Sequence, residues 1–477
     1  SMVNISVIVD RSAPQVNITT PRNNSNFTNG MQNFNSTVVD SLLFVDTILF
    51  SFDNASGAGF NVTATNQSGI FGVAYNVSEL ASGRHVFMVI ANDTINNTNS
   101  TQNITFIVDR VAPTVNMTVP SDKSNFSVGN QAFNASVIEE TLDVQNVFFS
   151  ISNSTSGYVN YTTTNQSGIW GVLVNVSTLA EEYHVVFVYA NDSAGNLNSS
   201  VNISFAIDRT TPLVTIISVN RTNTTDTTPD IQFNVTDNVF KNTTCRAYVN
   251  GQLNYTNTTT LNATTTNITF GSLVEGYYTY VINCTDGSAN TGTSLNATIT
   301  IDTTAPAVNI TKPLPSSNFS RGNLSLNATI EDATLQVHTV FFSVQNGSDY
   351  LNYTATNNSG IWNASFNVSS VIEGSHLVIV YANDTVGKLN ATVNSTFTID
   401  YSGPNVTIDV PLPRRTFTTG NEDVNATVLD RFVDVSYVYF NVSNGTEYLT
   451  YVATNVSGLW GAEVNVSNLA EEAHTLT

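Results

Sequence analysis

Residues 164–177 read TNQSGIWGVLVNVS, and nearly the same words return as TNQSGIFGVAYNVS from residue 65, TNNSGIWNASFNVS from 356 and TNVSGLWGAEVNVS from 454. Read as a strand, successive side chains alternate between two faces. If Asn175 and Ser177 point outward, then Trp170, Val172, Val174 and Val176 point inward. The sister copies keep that parity with Phe71, Val73, Tyr75 and Val77, then Trp362, Ala364, Phe366 and Val368, then Trp460, Ala462, Val464 and Val466. The tryptophan is therefore expected to anchor a core. The stretch reads as one half-buried strand copied four times, rather than as a displayed binding platform.

Copying extends over the whole chain. The phrase Asp-x-x-x-Pro stands at residues 10, 109, 208, 302 and 400, so its steps are 99, 99, 94 and 98 residues. Each step suits one β-sandwich. In the second unit, runs rich in Val, Ile, Phe, Tyr and Thr cover 115–119, 133–138, 144–151, 158–164, 169–176, 184–190 and 201–207. Gly, Asn, Ser and Asp separate them, and no helical period appears. The chain is expected to be all-β, about five tandem sandwiches of seven strands each. Their expected bounds are 11–109, 110–208, 209–302, 303–400 and an incomplete 401–477. Residues 1–10 match the last strand of a unit. Junctions with proline and no Gly/Ser linker predict a semi-rigid rod.

Composition excludes several classes of function. Only 11% of residues are charged, and the formal net charge is −21. Nucleic acid and anionic membrane surfaces need clustered Lys and Arg, so neither is an expected partner. No apolar run is long enough to span a bilayer. What replaces charge is asparagine: about 50 Asn-x-Ser/Thr triplets, against about 15 expected from random order. The excess predicts dense N-glycosylation, with sugars supplying solubility. Sites recur by position. The last strand carries Asn4, Asn103, Asn202, Asn296 and Asn394; the first carries Asn17, Asn116, Asn309 and Asn405; the second carries Asn35, Asn134, Asn327 and Asn425. Asn26, Asn125 and Asn318 precede the second strand, and Asn61, Asn160 and Asn352 fall on the fourth. The opening stretch contributes Asn66, Asn165, Asn357 and Asn455, then Asn76, Asn175, Asn367 and Asn465, with Asn363 added in one copy. Asn92, Asn191 and Asn383 precede the last loop, and the third unit has Asn234 and Asn267.

DTTAP at 302 and YANDSAGNLN at 189 resemble the junction and final hairpin of tandem immunoglobulin-like repeats in prokaryotic cell-surface proteins. The resemblance covers nearly the whole chain. It implies immunoglobulin-like sandwiches, an extracellular place, an adhesive or structural role and no enzyme activity. Sequon density points to an archaeal source.

The third unit departs from the others by lacking the Trp strand and holding both cysteines, Cys245 and Cys284. They fall on strands three and six, antiparallel neighbours in such sandwiches. A disulfide is expected, with two buried thiols as the alternative. Nothing reads as catalytic. His85, His184, His376 and His474 share one repeated structural position, and no nucleophile elbow, phosphate loop or zinc spacing appears. Glu181 and Glu182, repeated as Glu471 and Glu472, read as an exposed turn. The junction aspartates, and Asp93, Asp192 and Asp384 of the recurring Ala-Asn-Asp triplet, are oxygen ligands of the kind calcium takes. Their expected role is turn capping, so no metal site and no cofactor is assigned. The sequence thus predicts an extracellular, glycosylated filament, stalk or coat. A surface adhesin using its repeats as a spacer is the alternative. Head-to-tail pairing through residues 1–10 is a candidate self-interaction, against the plainer reading of an excerpt from a longer array.

Overall fold

The computed structural model describes residues 3–53, 59–153, 157–443 and 447–477. The first repeat sets the pattern with nine strands. These are β1 Gln15–Thr20, β2 Ser25–Phe27, β3 Met31–Val39, β4 Val45–Phe52, β5 Phe60–Thr63, β6 Thr65–Gln67, β7 Ile70–Asn76, β8 Gly83–Asp93 and β9 Thr98–Val108. One sheet runs β1-β3-β7-β6 and the other β2-β9-β8-β4-β5. All neighbours are antiparallel except β2 and β9, which run parallel with Ser25 opposite Phe106 and Phe27 opposite Val108. Repeats two and four reproduce both sheets, with one further short strand in repeat four. The seven expected strands are all present; β2 and β6, three residues each, are added. Three residues are too few to show an alternation in sequence.

Alternation builds the cores. The β8 strand shows one burial sequence in repeats one, two and four, over Gly83–Asp93, Glu182–Asp192 and Gly374–Asp384. In repeat one the inner residues include Phe34, Phe52, Phe87 and Phe106, all fully buried. Phe34 meets Phe52 edge-on at 4.8 Å, the arrangement aromatic quadrupoles prefer. Trp170 and Val172 pack partly buried against the second core while Val174 and Val176 are buried in it, as parity predicts; Trp460 is buried in the fifth. His184 is buried with Nδ1 2.7 Å from the Ser152 carbonyl and Nε2 3.0 Å from the Ala180 carbonyl. His85 and His376 repeat that bridge between the turn before β8 and the end of β4. The repeated histidine is thus a structural tie.

In repeat three, Cys245 stands directly opposite Cys284 on neighbouring strands, their Cα atoms are 4.0 Å apart, and the disulfide is formed. Residues 3–9 belong to no strand and are exposed, Val3 at 82% and Ile5 at 81%; Ser1 and Met2 of that segment lie outside the described residues. Residues 475–477 begin to pair with Asn441–Ser443. Among the described residues no helix is long and apolar enough to cross a membrane.

Candidate metal centres at the repeat junctions

Asp109, Asp208, Asp302 and Asp400 each follow the last strand of a repeat and start the crossing into the next, and Asp10 has the same place after residues 3–9. The junction carboxylate has two separate tasks. At the crossing from repeat two to repeat three, Asp208 Oδ1 accepts the Thr210 N–H at 3.0 Å, an Asx turn that fixes the linker. Its Oδ2 is buried and has no hydrogen-bond partner. Turn capping therefore accounts for only half of the group.

The other half faces two more carboxylates. Asp237, in the loop between the β3 and β4 positions of repeat three, accepts at Oδ1 from the N–H groups of Val239 and Phe240 at 3.0 and 2.7 Å, leaving Oδ2 unpartnered. Asp286, in the loop after β8, accepts from the N–H groups of Ser288 and Asn290 and from Asn290 Nδ2. One ligand oxygen from each of Asp208, Asp237 and Asp286 lies within 4.8 Å of the others. The same set recurs as Asp10, Asp40 and Asp93, as Asp109, Glu139 and Asp192, and as Asp302, Asp332 and Asp384. At the last of these, all three Oδ2 atoms are unpartnered. Asp400 and Asp430 occupy the first two positions again at the start of repeat five.

Three like charges this close repel. At an effective dielectric of about 20, a pair of unit charges at that spacing costs roughly 3 kcal/mol. Burial, with Asp237, Asp286 and Glu181 nearby, pushes the Asp208 carboxyl up to about 7 against the Thr210 hydrogen bond. Burial likewise raises Asp109 and Asp302, and each has its two cluster partners as further causes. Asp10 is lowered instead, first by the Ser12 hydroxyl. A buried acceptor without a donor costs free energy. A hard divalent cation removes both penalties at once, since calcium takes 6–8 oxygen ligands with carboxylates foremost. The first ligand comes from the preceding repeat's last strand and the other two from loops of the following repeat. An ion here would tie two repeats together.

Beside two of these clusters, and beside the Asp400–Asp430 pair, sits a second tie. Glu181, in the turn before β8 of repeat two, accepts from Thr210 Oγ1 at 2.7 Å, from Asn238 Nδ2 of repeat three at 3.0 Å and from the Arg209 N–H at 3.2 Å. It also pairs with Arg209 Nε at 3.3 Å. Glu275 accepts from Thr303, Thr304 and Thr334, and Glu373 from Tyr401 and Ser402. The exposed-turn reading of Glu181 is corrected: it is partly buried and holds a junction. Its place in repeat one is Ser82, so the crossing from repeat one to two lacks this latch.

The sequon asparagines fall into distinct settings. Those on the first and last strands, among them Asn17, Asn116, Asn103, Asn202 and Asn394, are exposed as parity requires, while Asn35, Asn134, Asn327 and Asn425 of the second strand are half-buried. Asn165 lies on a short strand, Thr164–Gln166, and Ser167 in the turn after it, so the 164–177 stretch is a hairpin of two strands, which corrects its reading as one strand. Ser167 and Gly168 both have positive φ, 52° and 85°, forming a tight hairpin turn. Asn165 Oδ1 accepts the Gly168 N–H at 2.9 Å, and Asn66, Asn357 and Asn455 repeat it. Asn175 caps a 3₁₀ turn by accepting the Ser177 N–H, while Ser177 Oγ accepts the Gly129 N–H at 2.9 Å. Asn134 is half-buried, lying flat over Gly171 of the next strand, where a Cβ would stand 2.3 Å from its Oδ1. Asn26 and Asn125 reach across junctions, donating to Ser193 Oγ and to the Gly287 carbonyl.

Comparison with known proteins agrees with this architecture. Residues 306–380 and 404–477 match the profile of the bacterial Ig domain. Residues 69–146 match a bacterial Ig-like domain of group 3 and straddle repeats one and two. The chain is a tandem array of immunoglobulin-like β-sandwich repeats of the kind found in prokaryotic cell-surface proteins. Among curated proteins it is similar to halomucin of Haloquadratum walsbyi, 27% identical over 197 residues, which is 36% of this chain and 2% of that protein. The chain thus spans a very small part of that relative's length. Among solved structures, a tetra-tandem repeat from the extending region of a large adhesion protein has 19% identity. It covers 82% of this chain and 100% of its own, with a TM-score of 0.35. A 1.5-MDa bacterial ice-binding adhesin has 17% identity, covers 62% of this chain and 100% of its own, and has a TM-score of 0.28.

Proposed function

We propose that the chain is a non-enzymatic spacer of an extracellular filament, stalk or surface coat, glycosylated along its strands and stiffened at each junction by a bound divalent cation, calcium by ligand type. One observation carries the mechanical part. The same three-carboxylate cluster recurs at four successive junctions, built from both sides of the crossing, with buried oxygens that lack donors. Repetition at successive crossings is what a rod needs and what a unique active site does not. Glycosylation rests on the sequon excess and on exposed strand asparagines. A spacer presenting an adhesive tip stays the alternative, since the halomucin and adhesin likenesses suit both uses.

Small-angle scattering of the full chain with calcium and with a chelator tests the reading. A maximum dimension that holds with calcium and shrinks with chelator supports it; identical profiles with no calcium bound in calorimetry exclude the ion. Intact mass of native material tests the sugars. Self-assembly is a second reading, favoured by the unpaired row Val3, Ile5, Val7 and Val9, which can add to an open sheet edge. Deleting residues 1–10 abolishes assembly on that reading, and unchanged assembly rejects it.

A further inference from the structure

The outer face of the five-stranded sheet presents one arrangement three times. In repeat two, Asn202 of the β9 strand stands opposite Phe187, Phe187 opposite Ser150, and Ser150 opposite Asn160. Repeat four places Asn394, Ile379, Ser343 and Asn352 in the same order. Repeat one places Asn103, Met88, Ser51 and Asn61 there. Every asparagine in these rows is exposed and begins a sequon. With strands about 4.8 Å apart, the two asparagines of a row stand roughly 15 Å apart.

Between and beside them stand apolar side chains, one in each row and aromatic pairs next to it in repeats two and four. Phe148 and Tyr189 stack at 4.8 Å with their planes 4° apart, and Phe341 and Tyr381 repeat the stack at 4.6 Å and 5°. Tyr158, 55% exposed, meets Phe187 edge-on. The rows contain no charged residue. An outward sheet face is ordinarily polar, so an apolar side chain repeated at the middle of each row, joined by aromatic rings in repeats two and four, favours a cover. One amide is set for it: Asn160 Oδ1 accepts the Ser150 hydroxyl at 2.7 Å, which turns Oδ1 toward the sheet and leaves Nδ2, the atom that carries an N-linked sugar, outward, whereas Asn202 Nδ2 donates one hydrogen to the Ser200 carbonyl at 3.4 Å and keeps the other free for the sugar.

We propose that in repeats one, two and four this row is a bed for the chain's own N-linked sugars. Glycans joined at Nδ2 of the paired asparagines fold inward, and the C–H faces of their pyranose rings lie on the apolar row. Covering that row removes apolar area from water, and flat stacked rings offer the π-face such C–H groups meet. The sugars then shield the protein and are themselves held down. This rests on the glycosylation reading above, which the test separates from the docking itself.

The full chain from its native glycosylating host is mapped by mass spectrometry at Asn160 and Asn202, then titrated with an anilinonaphthalene dye that fluoresces on apolar surface. Asn160→Gln/Asn202→Gln is expected to raise dye fluorescence several-fold, and adding Phe148→Ser/Tyr189→Ser to return it to the wild-type level. Thr162→Ala/Ser204→Ala, which removes the same sugars but keeps both asparagines, gives the same rise, with circular dichroism confirming the fold. If both sites carry sugar yet their loss leaves dye binding unchanged, the docking is overturned. It is equally overturned by wild-type dimers that Phe148→Ser/Tyr189→Ser dissolves, because the row then faces a second copy. Bare asparagines at both sites overturn the glycosylation reading and the bed with it.

Discussion

Glu181→Gln isolates one junction. Burial pushes the Glu181 carboxyl up, but bonds from Thr210, Asn238 and Arg209 outweigh it and hold the group down to about 2, against an ordinary 4.5. About 2.5 units at 1.36 kcal/mol each set a ceiling of about 3 kcal/mol. The side chain is 23% exposed, and solvent screening reduces the figure to about 1.5 kcal/mol. A depressed carboxyl contributes stability that is fully present above 4.5 and lost as pH falls toward 2. Hydrogen exchange at pH 7 without calcium reads the opening of Arg209 and Thr210. Their amides are expected to exchange about tenfold faster in Glu181→Gln, since 1.4 kcal/mol is a factor of ten. In chelator, the gap between wild-type and variant melting narrows as pH is lowered from 5 to about 2. The homologous crossing at Ser82 is the internal control and does not change. Exchange at Arg209 and Thr210 indistinguishable between the two chains, with a melting gap that ignores pH, refutes the latch.

Other expectations follow from the same contacts. Saturating calcium at a hundredfold its dissociation constant adds about 2.7 kcal/mol per junction; calorimetry shows this in the wild type, and Asp208→Asn removes the gain at one crossing only. Reducing the Cys245–Cys284 bridge frees a loop of 39 residues and costs repeat three about 4 kcal/mol in the chain-entropy view, read by denaturant titration with and without reductant. Gly171→Val drives a side chain into Asn134 and lowers the stability of repeat two by about 1–3 kcal/mol; Gly168→Val instead meets no neighbour but strains a turn of φ 85°.

Much of this was legible in sequence because repetition exposes position. The parity of Trp170, Val172, Val174 and Val176 and the place of the histidines follow from strand alternation and period, and the Cys245–Cys284 pairing from the strand order the immunoglobulin-like resemblance implies. The cation cluster was half legible. Asp208 and the loop aspartates recur visibly, but Asp40, Asp237 and Asp332 look like ordinary turn residues, and in repeat two the member is Glu139. Their available signal was a carboxylate closing the second strand of every unit. Glu181 was misjudged because local sequence cannot show that Thr210 and Asn238 of the next repeat fold back over it. The stretch 164–177 was read as one strand because a Ser-Gly turn with positive φ splits it into two where the flanking residues suggest a single alternation.

The parallel pairing of β2 with β9 has a mechanical consequence. These strands lie near the two ends of a repeat, Ser25–Phe27 beside Phe106–Val108. A pull along the chain drags β2 one way and β9 the other, along their own length. The hydrogen bonds between them are then sheared together and not peeled one at a time. A repeat joined in this way resists tension as a lap joint does, yielding only when every bond across the overlap fails at once. Repeats one to four each carry that joint, so a load on the array meets the same threshold four times in series.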